Sequence, residues 1–275
     1  MGTEPLVSIV TPSYNQAQYI EETILSVLNQ DYSQMEYIVI DGGSTDGTVE
    51  ILERYTDRLL WVSEPDDGQA DAINKGLEMA RGDIAAYLNS DDVYRPGAIT
   101  AVVQCFACRP EVGLVYGDCD VIDSTGQLLG TIAAPEPNLA RLIHHAEFIP
   151  QPAAFWRRDV LDTLGGFDTT LRYALDYDFF IRVAQAFPAL RIPGTLAAFR
   201  LHSVSKTVSA EHAHWRESLL ISRRYGSGWR SPGYVLRVLR HQGLRWLPSP
   251  LQRRVRRWLG RAQDVVALES REEER

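Results

Sequence analysis

The sequence predicts an α/β fold in which one mostly parallel sheet is flanked by helices and followed by a C-terminal helical extension. Up to Asp92, short runs rich in apolar and β-branched residues alternate with segments whose apolar residues recur at helical spacing. Each apolar run ends in a cluster of glycine and polar residues, which is typical of the carboxyl ends of strands in such a sheet.

The predicted elements follow one another closely. The first run predicts a strand that breaks at Pro12, because proline lacks the N–H that a sheet ladder needs. Acidic residues in the first turns and glycines at the ends mark the helices. The predicted strands cover residues 6–15, 36–48, 59–66 and 83–92, and the predicted helices cover 19–30, 48–55 and 68–82.

The charges divide the chain of 275 residues into two parts. The segment from Arg223 to Arg261 contains eleven arginines and no acidic residue. Because the net charge of the whole chain is −8, the rest of the chain has a net charge of −19. Such an asymmetry predicts different partners for the two parts. We expect an acidic α/β domain at 1–210 and a basic, amphipathic helical extension at 211–275.

Several classes of protein are not expected. The three cysteines are odd in number, and the pair Cys105 and Cys108 lacks the second pair that a structural zinc site needs. A reducing, intracellular setting fits this cysteine content. The N-terminus has no basic region followed by an apolar stretch, and no run of about 18 uninterrupted apolar residues occurs, so neither a signal peptide nor a membrane span is expected.

Four polar clusters follow the predicted strands and would meet at one edge of the sheet. In one of them Asp91 and Asp92 are adjacent, and two carboxylates there favour Mg²⁺ or Mn²⁺ with phosphate oxygens as further ligands. Taken singly, "DGGSTDG" is also explained as a β-turn with an N-cap, and "NSDD" as a cap of the next helix. The clusters are Thr11–Asn15, Asp41–Asp46, Pro65–Asp67 and Asn89–Asp92.

These stretches closely resemble the family 2 glycosyltransferases, which have the GT-A fold with a nucleotide-binding sheet. The resemblance covers about residues 5–205, and the ordered set of motifs is specific to that family. The motifs are "VSIVTPSYNQAQYIEETILSVLNQ", "YIVIDGGSTDGTVEIL" and "EPDDGQADAINKGLEMARGDIAAYLNSDD".

The resemblance implies a nucleotide-sugar donor, with a UDP-sugar as the default and dTDP- and GDP-sugars as alternatives. In that family the first strand, its loop and a strand-ending Asp hold the base, and the following helix lies along the ribose and diphosphate. Many relatives carry an arginine where this chain has Ile73. The donor-binding residues implied are Thr11, Pro12, Tyr14, Asn15, Asp41, Asp67, Gly68, Asp71, Asn74 and Asp91.

The segment "NSDD" resembles the DxD motif of the family and implies Mn²⁺ or Mg²⁺ as cofactor. Asp92 would be a metal ligand, and Asp91 would face the ribose or the waters of the metal. His202 stands where relatives often have a histidine near the metal, although a lone histidine is also common as a packed or surface residue. Lys206, on the next loop, is a further candidate to contact the diphosphate.

The segment "RYALDYDFFIRVAQ" (172–185) resembles the part of the family that supplies the catalytic base. Asp176 matches the base, while Leu175 replaces the usual Glu. An inverting transfer needs such a carboxylate to take the proton of the acceptor hydroxyl. Asp178 is a competitor that would point in a different direction on a helix, and Asp176 is also explained as a helix N-cap.

The acceptor is expected to be a glycan or a lipid-linked saccharide, and Gln151 and Trp156 could contact it. In the tail, the apolar residues between 251 and 266 share one helical face and arginines occupy the others, which favours a helix lying on an anionic membrane surface. The alternative is a helix packed on the acidic body. Nucleic acid is not an expected partner. We therefore expect a cytoplasmic protein, attached peripherally to the inner face of the cell membrane.

The function expected is an inverting, metal-dependent glycosyl transfer in surface polysaccharide biosynthesis. One alternative is a sugar-phosphate nucleotidyltransferase, but "TPSYNQAQ" lacks the glycines and lysine of the N-terminal loop of those enzymes. Another is a non-catalytic module that binds nucleotide sugars, since Leu175 departs from the motif of the base.

Overall fold

The computed structural model describes residues 4–144, 149–202 and 211–228. The chain divides into two units, residues 1–221 and 222–275. In the second unit, the described residues hold the end of a helix and a turn in which the Ser227 amide donates to the Ser222 carbonyl. In the described ranges, no helix is both long and apolar enough to cross a membrane. The predicted domain boundary at residue 210 stays a prediction.

Strands and helices alternate along the first unit, as the sequence predicts. The strands are β1 (Val7–Ser13), β2 (Met35–Asp41), β3 (Leu60–Ser63), β4 (Ile84–Tyr87), β5 (Val93–Tyr94), β6 (Leu114–Ile122), β7 (Leu128–Ile132), β8 (Ala154–Arg157) and β9 (Ala189–Arg200). The helices are α1 (Ile20–Leu28), α2 (Thr48–Glu53), α3 (Gln69–Met79), α4 (Ala98–Cys108), α5 (Leu139–His144), α6 (Arg158–Leu164), α7 (Leu175–Ala186) and α8 (Glu211–Arg224), with a 3₁₀ turn at Gln151–Ala153.

The described strands form one sheet in the order β3-β2-β1-β4-β8-β6-β9-β5, with β7 paired to β6. The first four strands are parallel to one another, as predicted from their alternation with helices. Beyond β4 the sheet is mixed, because β8 runs antiparallel to both β4 and β6, while β6 and β9 are parallel. The register Ser13↔Asp41 places the carboxyl ends of β1 and β2 side by side.

The predicted break of the first strand at Pro12 is wrong, since β1 continues through Pro12 to Ser13. Strand β4 pairs with β1 only as far as Val10. Beyond Val10, β1 is paired with β2 alone, and no described strand lies on the side that β4 occupied. Pro12 therefore lacks an N–H where the sheet does not need one. A proline is therefore accommodated near the end of a central strand.

The core packs against both faces of the parallel half. On one face Ile20 and Ile24 of α1 are fully buried in the same cluster as Ile9 and Val39. On the other face α3 lies so close to β1 that a Cβ at Gly76 would collide with Val10. This close contact fixes where α3 begins relative to the ends of the strands.

A second group of contacts joins α3 to the part of the chain that precedes α7. The side chain of Asn74 donates to the Phe167 carbonyl at 2.9 Å and accepts from the Phe167 amide at 2.8 Å. Phe167 stacks on Phe179 of α7, and Trp156 packs edge-on against both rings. Trp156 is fully buried, so the structure makes it a core residue and does not support the predicted contact with an acceptor.

Candidate active site

The polar loops that follow β1 and β2 are bonded to each other at the carboxyl edge of the sheet. The Asn15 amide donates to Ser44 Oγ at 2.7 Å, and Asn15 Oδ1 accepts from the Thr45 amide at 3.0 Å. Asn15 has a φ of 52°, a left-handed conformation that asparagine tolerates better than most residues. The polar clusters Thr11–Asn15 and Asp41–Asp46 are thus neighbours, as the sequence predicts.

Asp41 is fully buried at the end of β2. Its carboxylate accepts hydrogen bonds from the amides of Gly43 (3.1 Å) and Ser44 (2.8 Å) and from the hydroxyls of Ser63 (2.7 Å) and Ser44 (2.5 Å). These bonds to β3 and to its own loop give the carboxylate the partners that a buried charge needs. Contact between Asp41 and a nucleotide base stays a prediction.

Of the four residues of the β1 region that are predicted to contact the nucleotide base, two are exposed at the edge of the sheet and two are buried beneath it. Tyr14 is 63% exposed beside Gly42, and Asn15 is exposed next to it. Thr11 and Pro12 are buried within β1, where the Thr11 hydroxyl bonds to the Tyr37 hydroxyl at 3.0 Å. The exposed ring of Tyr14 is therefore the surface on which a planar base could stack.

The start of α3 is shaped by its own acidic residues. Asp66 accepts from the Gly68 amide at 2.8 Å, and Asp71 accepts from the Asp67 amide at 3.1 Å. That amide and, after it, the Lys75 ammonium lower the pKa of the Asp71 carboxyl. A cavity of about 110 Å³ opens here, lined by Asp67, Gly68, Gln69, Ala70, Thr169, Leu171, Arg172 and Tyr173.

The two aspartates of "NSDD" occupy different surroundings. Asp92 is fully buried and accepts from the Arg200 amide at 2.9 Å and from Asn89 Nδ2 at 3.0 Å. Burial raises the pKa of Asp92 well above its usual value, and the charge of Asp91 adds to the rise. The turn that closes from the Asp92 amide to the Asn89 carbonyl at 3.1 Å directs the two neighbouring side chains apart.

Asp91 and His202, which lie 111 residues apart in sequence, are in contact. Asp91 Oδ2 is 2.9 Å from His202 Nε2, and the imidazole also lies against the ring of Tyr19. The Arg200 guanidinium donates to the Asp91 carbonyl at 2.8 Å and to Glu22 Oε2 at 2.6 Å. The sequence-predicted site residues Asp91, Asp92 and His202 are thus brought together around one buried arginine.

A carboxylate oxygen and an imidazole nitrogen at this distance fit Mn²⁺ and Mg²⁺, which complete their coordination with phosphate oxygens and water. Across the described ranges, no group of three or more His, Cys, Asp or Glu side chains is arranged to hold a metal. Any metal at this pair would therefore take most of its ligands from a bound diphosphate and from water.

An amide network connects these clusters and contains residues that sequence reasoning did not assign to the donor site. Gln69 Nε2 donates to Asn89 Oδ1 at 2.6 Å, and Asn89 Nδ2 donates to Gln151 Oε1 at 3.1 Å. Gln151 donates in turn to the Tyr87 carbonyl at 2.7 Å. The network ties the start of α3 to the end of β4. Two of its members are singled out by the sequence, Asn89 at the start of "NSDD" and Gln151 as a candidate acceptor contact.

The two acidic candidates on α7 are separated by burial. Asp178 is 1% exposed and pairs with Arg182 at 2.9 Å, whose other nitrogens donate to the carbonyls of Leu164 and Gly166. Asp176 is half-buried in the first turn of α7, one residue inside the helix, and the N-cap position belongs to Ala174. The structure thus gives Asp178 a structural partner and places Asp176 at the helix start. Lys206 and the arginine-rich tail lie outside the described residues.

Comparisons with known proteins indicate one family. A model of the family described as glycosyl transferase family 2 matches residues 8–165. Chondroitin synthase of Escherichia coli is 30% identical over 193 residues, which are 67% of this chain and 27% of that enzyme. The match is thus confined to a part of that enzyme.

Two solved structures have a similar fold. One is S. aureus TarS 1–349 in complex with UDP-GlcNAc, with a TM-score of 0.69 and 19% identity, covering 87% of this chain and 75% of that one. The other is the mannosyltransferase PcManGT from Pyrobaculum calidifontis in complex with GDP-Man and Mn²⁺, with a TM-score of 0.63 and 24% identity, covering 88% and 71%. The GT-A fold expected from the sequence is confirmed.

The different surroundings of Asp176 and Asp178 predict different effects on stability. Asp178→Asn leaves the Arg182 charge uncompensated and should lower the free energy of unfolding by about 3 kcal/mol, as for a broken buried ion pair. Asp176→Asn should change it by less than about 1 kcal/mol, the usual size of a helix-dipole contribution. Urea denaturation of both variants measures the difference, and equal destabilisation would contradict these assignments.

Proposed function

The chain belongs to glycosyl transferase family 2, and we propose that it transfers a sugar from a nucleotide diphosphate to a hydroxyl group with inversion at the anomeric carbon. The observation that carries the proposal is the contact of 2.9 Å between Asp91 and His202 at the carboxyl edge of the parallel strands. Ligands of open α/β sheets bind at this edge. The contact supports the proposal of a metal-binding pair at the place where a donor diphosphate would lie.

We propose a UDP-sugar as the donor, in line with the UDP-GlcNAc in the TarS structure, and a GDP-sugar as the alternative, in line with PcManGT. The base would stack on Tyr14 and lie beside Asn15. The cavity at the start of α3 would take the diphosphate or the sugar, with Asp67 and Gly68 in its wall. Asn74, which bonds to the Phe167 carbonyl, and Asp71, which accepts from the Asp67 amide, would hold the walls of this cavity in place.

We propose that Asp91 and His202 hold Mn²⁺ or Mg²⁺, and that Asp92 fixes the turn on which Asp91 stands. When bound, the metal would offset the negative charge that develops on the nucleoside diphosphate as it leaves. This assignment differs from the sequence-based expectation that Asp92 is a metal ligand. Its support is the burial of Asp92, whose two oxygens already accept from Arg200 and Asn89.

Asp176 would act as the general base. The acceptor hydroxyl would attack the anomeric carbon from the side opposite the leaving diphosphate, and its proton would pass to the Asp176 carboxylate. The new bond joins the acceptor oxygen to the sugar, and the bond between the sugar and the diphosphate breaks. Asp178 is excluded from this role by its burial and by Arg182.

For the acceptor we propose a glycan or a lipid-linked saccharide of a surface polysaccharide, since chondroitin synthase is among the relatives. The arginines of the tail would hold the enzyme at an anionic inner membrane surface, where lipid-linked acceptors are found. This part of the proposal rests on the charge pattern of the tail.

The metal assignment predicts nucleotide binding that needs Mn²⁺. In a thermal-shift screen of UDP, dTDP, GDP and CDP, one nucleotide at saturation should raise Tm by about 5 °C or more with Mn²⁺ present. Asp91→Ala should abolish the part of the shift that depends on Mn²⁺, because it removes one ligand. The matched control is Asp57→Ala, an exposed acidic residue on another loop. A shift that is the same with and without Mn²⁺ would rule out the metal pair.

The base assignment predicts a variant that binds the donor without turning it over. Asp176→Asn should lower kcat by about 10²- to 10⁴-fold, the usual contribution of a general base, while the thermal shift with nucleotide and Mn²⁺ persists. Release of nucleoside diphosphate from UDP-GlcNAc and GDP-mannose, with and without oligosaccharide primers, measures the rate. Asp159→Asn is the control, since Asp159 is exposed in the first turn of α6. Wild-type rates in Asp176→Asn would refute the assignment.

The membrane proposal predicts a salt-sensitive attachment through the tail. The full chain should sediment with phosphatidylglycerol vesicles and not with phosphatidylcholine vesicles. Changing Arg253, Arg254, Arg256 and Arg257 together to Gln should weaken the attachment by about 4 kcal/mol, at roughly 1 kcal/mol per basic residue. Equal sedimentation of the variant and the parent chain would show that the tail is not the anchor.

A further inference from the structure

The N-cap position of helix α7 carries no capping side chain, and within the first turn the Tyr177 amide donates to Asp176 Oδ1 at 3.0 Å. The N-cap residue is Ala174, and no side chain at that position bonds to the first amides of the helix. The amides at a helix start lack partners within the helix and need an acceptor from elsewhere. The amide of the N-cap residue Ala174 and the two amides before it take their acceptor from α8, a helix that begins beyond residues 8–165, the range that the family model matches.

Glu217 of α8 supplies that acceptor. Its Oε1 accepts from the Arg172 amide at 3.0 Å, and its Oε2 accepts from the amides of Tyr173 at 2.6 Å and Ala174 at 2.7 Å. Three consecutive amides on one carboxylate form an anion-binding nest at the positive end of the helix dipole. Hydrogen bonds of this charged kind are shorter and stronger than neutral ones.

A second residue of the same helix face holds the same segment. His214 lies three residues before Glu217, and its Nδ1 donates to the Tyr173 carbonyl at 3.0 Å. Residues three apart on a helix are neighbours on its surface, so both side chains reach residues 172–174 together. The segment is thus held at its amides and at a carbonyl.

Residues 172–174 lie between the proposed donor cavity and the proposed base Asp176. On one side, Arg172 and Tyr173 line the cavity at the start of α3. On the other side, the chain enters α7, and Asp176 follows Ala174 by two residues. A shift of this segment would therefore move Asp176 relative to a donor in the cavity.

We propose that Glu217 is a positioning residue for the proposed base Asp176, which makes this inference dependent on the proposed function. Both carboxylate oxygens of Glu217 are occupied by main-chain amides, so Glu217 orients the start of α7 and does not itself take the acceptor proton. The working transferase then includes α8, and its limit lies beyond the boundary at residue 210 that the sequence suggests.

The test compares Glu217→Gln and Glu217→Asp with the parent chain. Glu217→Gln removes the charge and one acceptor oxygen, and should lower kcat for nucleoside diphosphate release by about 10- to 100-fold, the range for a catalytic group misplaced by about 1 Å. KM for the donor and the thermal shift with nucleotide and Mn²⁺ should change much less than kcat, because Tyr14, Asp91 and His202 are not touched and His214 still holds Tyr173 in the cavity wall. Glu217→Asp keeps the charge and should recover part of kcat.

Hydrogen exchange gives a readout that does not require turnover. The amides of residues 172–174 should exchange faster in Glu217→Gln than in the parent chain, since their acceptor is weakened. The matched control is Arg216→Gln, because Arg216 is the exposed neighbour of Glu217 on the same helix. This control should change neither kcat nor the exchange of these amides.

The outcomes separate the positioning role from the proposed function. An active parent chain with unchanged kcat in Glu217→Gln would overturn the positioning role alone. Equal losses in kcat and donor affinity would assign Glu217 to the general fold and would also overturn it. A parent chain that releases no nucleoside diphosphate from UDP- or GDP-sugars would instead refute the proposed function, and with it the role of Asp176 as the base.

Discussion

The candidate site depends on one buried guanidinium. Arg200 is 1% exposed, and it donates to the carbonyls of Asp91 and Asp123 and to the carboxylate of Glu22, while its amide donates to Asp92. A buried charge is tolerated only when its hydrogen bonds are made, so these partners cannot drift independently. Arg200 therefore fixes the turn after β4 against the end of β9. His202 follows two residues later, which is why it meets Asp91.

A second set of contacts holds the side of the site that carries Asp176. Asn74 joins α3 to Phe167, Arg182 joins α7 to the carbonyls before it, and Glu217 joins α8 to the start of α7. Helix α3 is thus connected both to the cavity at its first turn and, through Asn74, Phe167 and Phe179, to the helix that carries Asp176. The geometry between this cavity and Asp176 depends on a few polar contacts to main-chain atoms. Such contacts set direction as well as distance.

The sequence predicted the parallel half of the sheet well, because alternation of apolar strands and amphipathic helices is a local signal. It also predicted that the polar clusters share one edge, which follows from the strand direction alone. It did not predict that Asp92 is buried and Asp91 is not, since a single turn decides which neighbour faces outwards. The roles of Arg200 and Glu217 were not predicted, because their partners lie far away in sequence. The continuation of β1 through Pro12 was not predicted, because it depends on where the neighbouring strand β4 ends.

The proposed metal site depends on the pairing of Asp91 with His202, and pulsed electron paramagnetic resonance of bound Mn²⁺ tests it most directly. In the complex of the full chain with Mn²⁺ and UDP, or GDP where UDP does not bind, the spectrum should show nitrogen modulation from one imidazole. His202→Ala should remove that modulation while phosphorus couplings from the diphosphate remain. A wild-type spectrum without imidazole nitrogen, or one that His202→Ala leaves unchanged, would contradict the assignment of the metal to this pair.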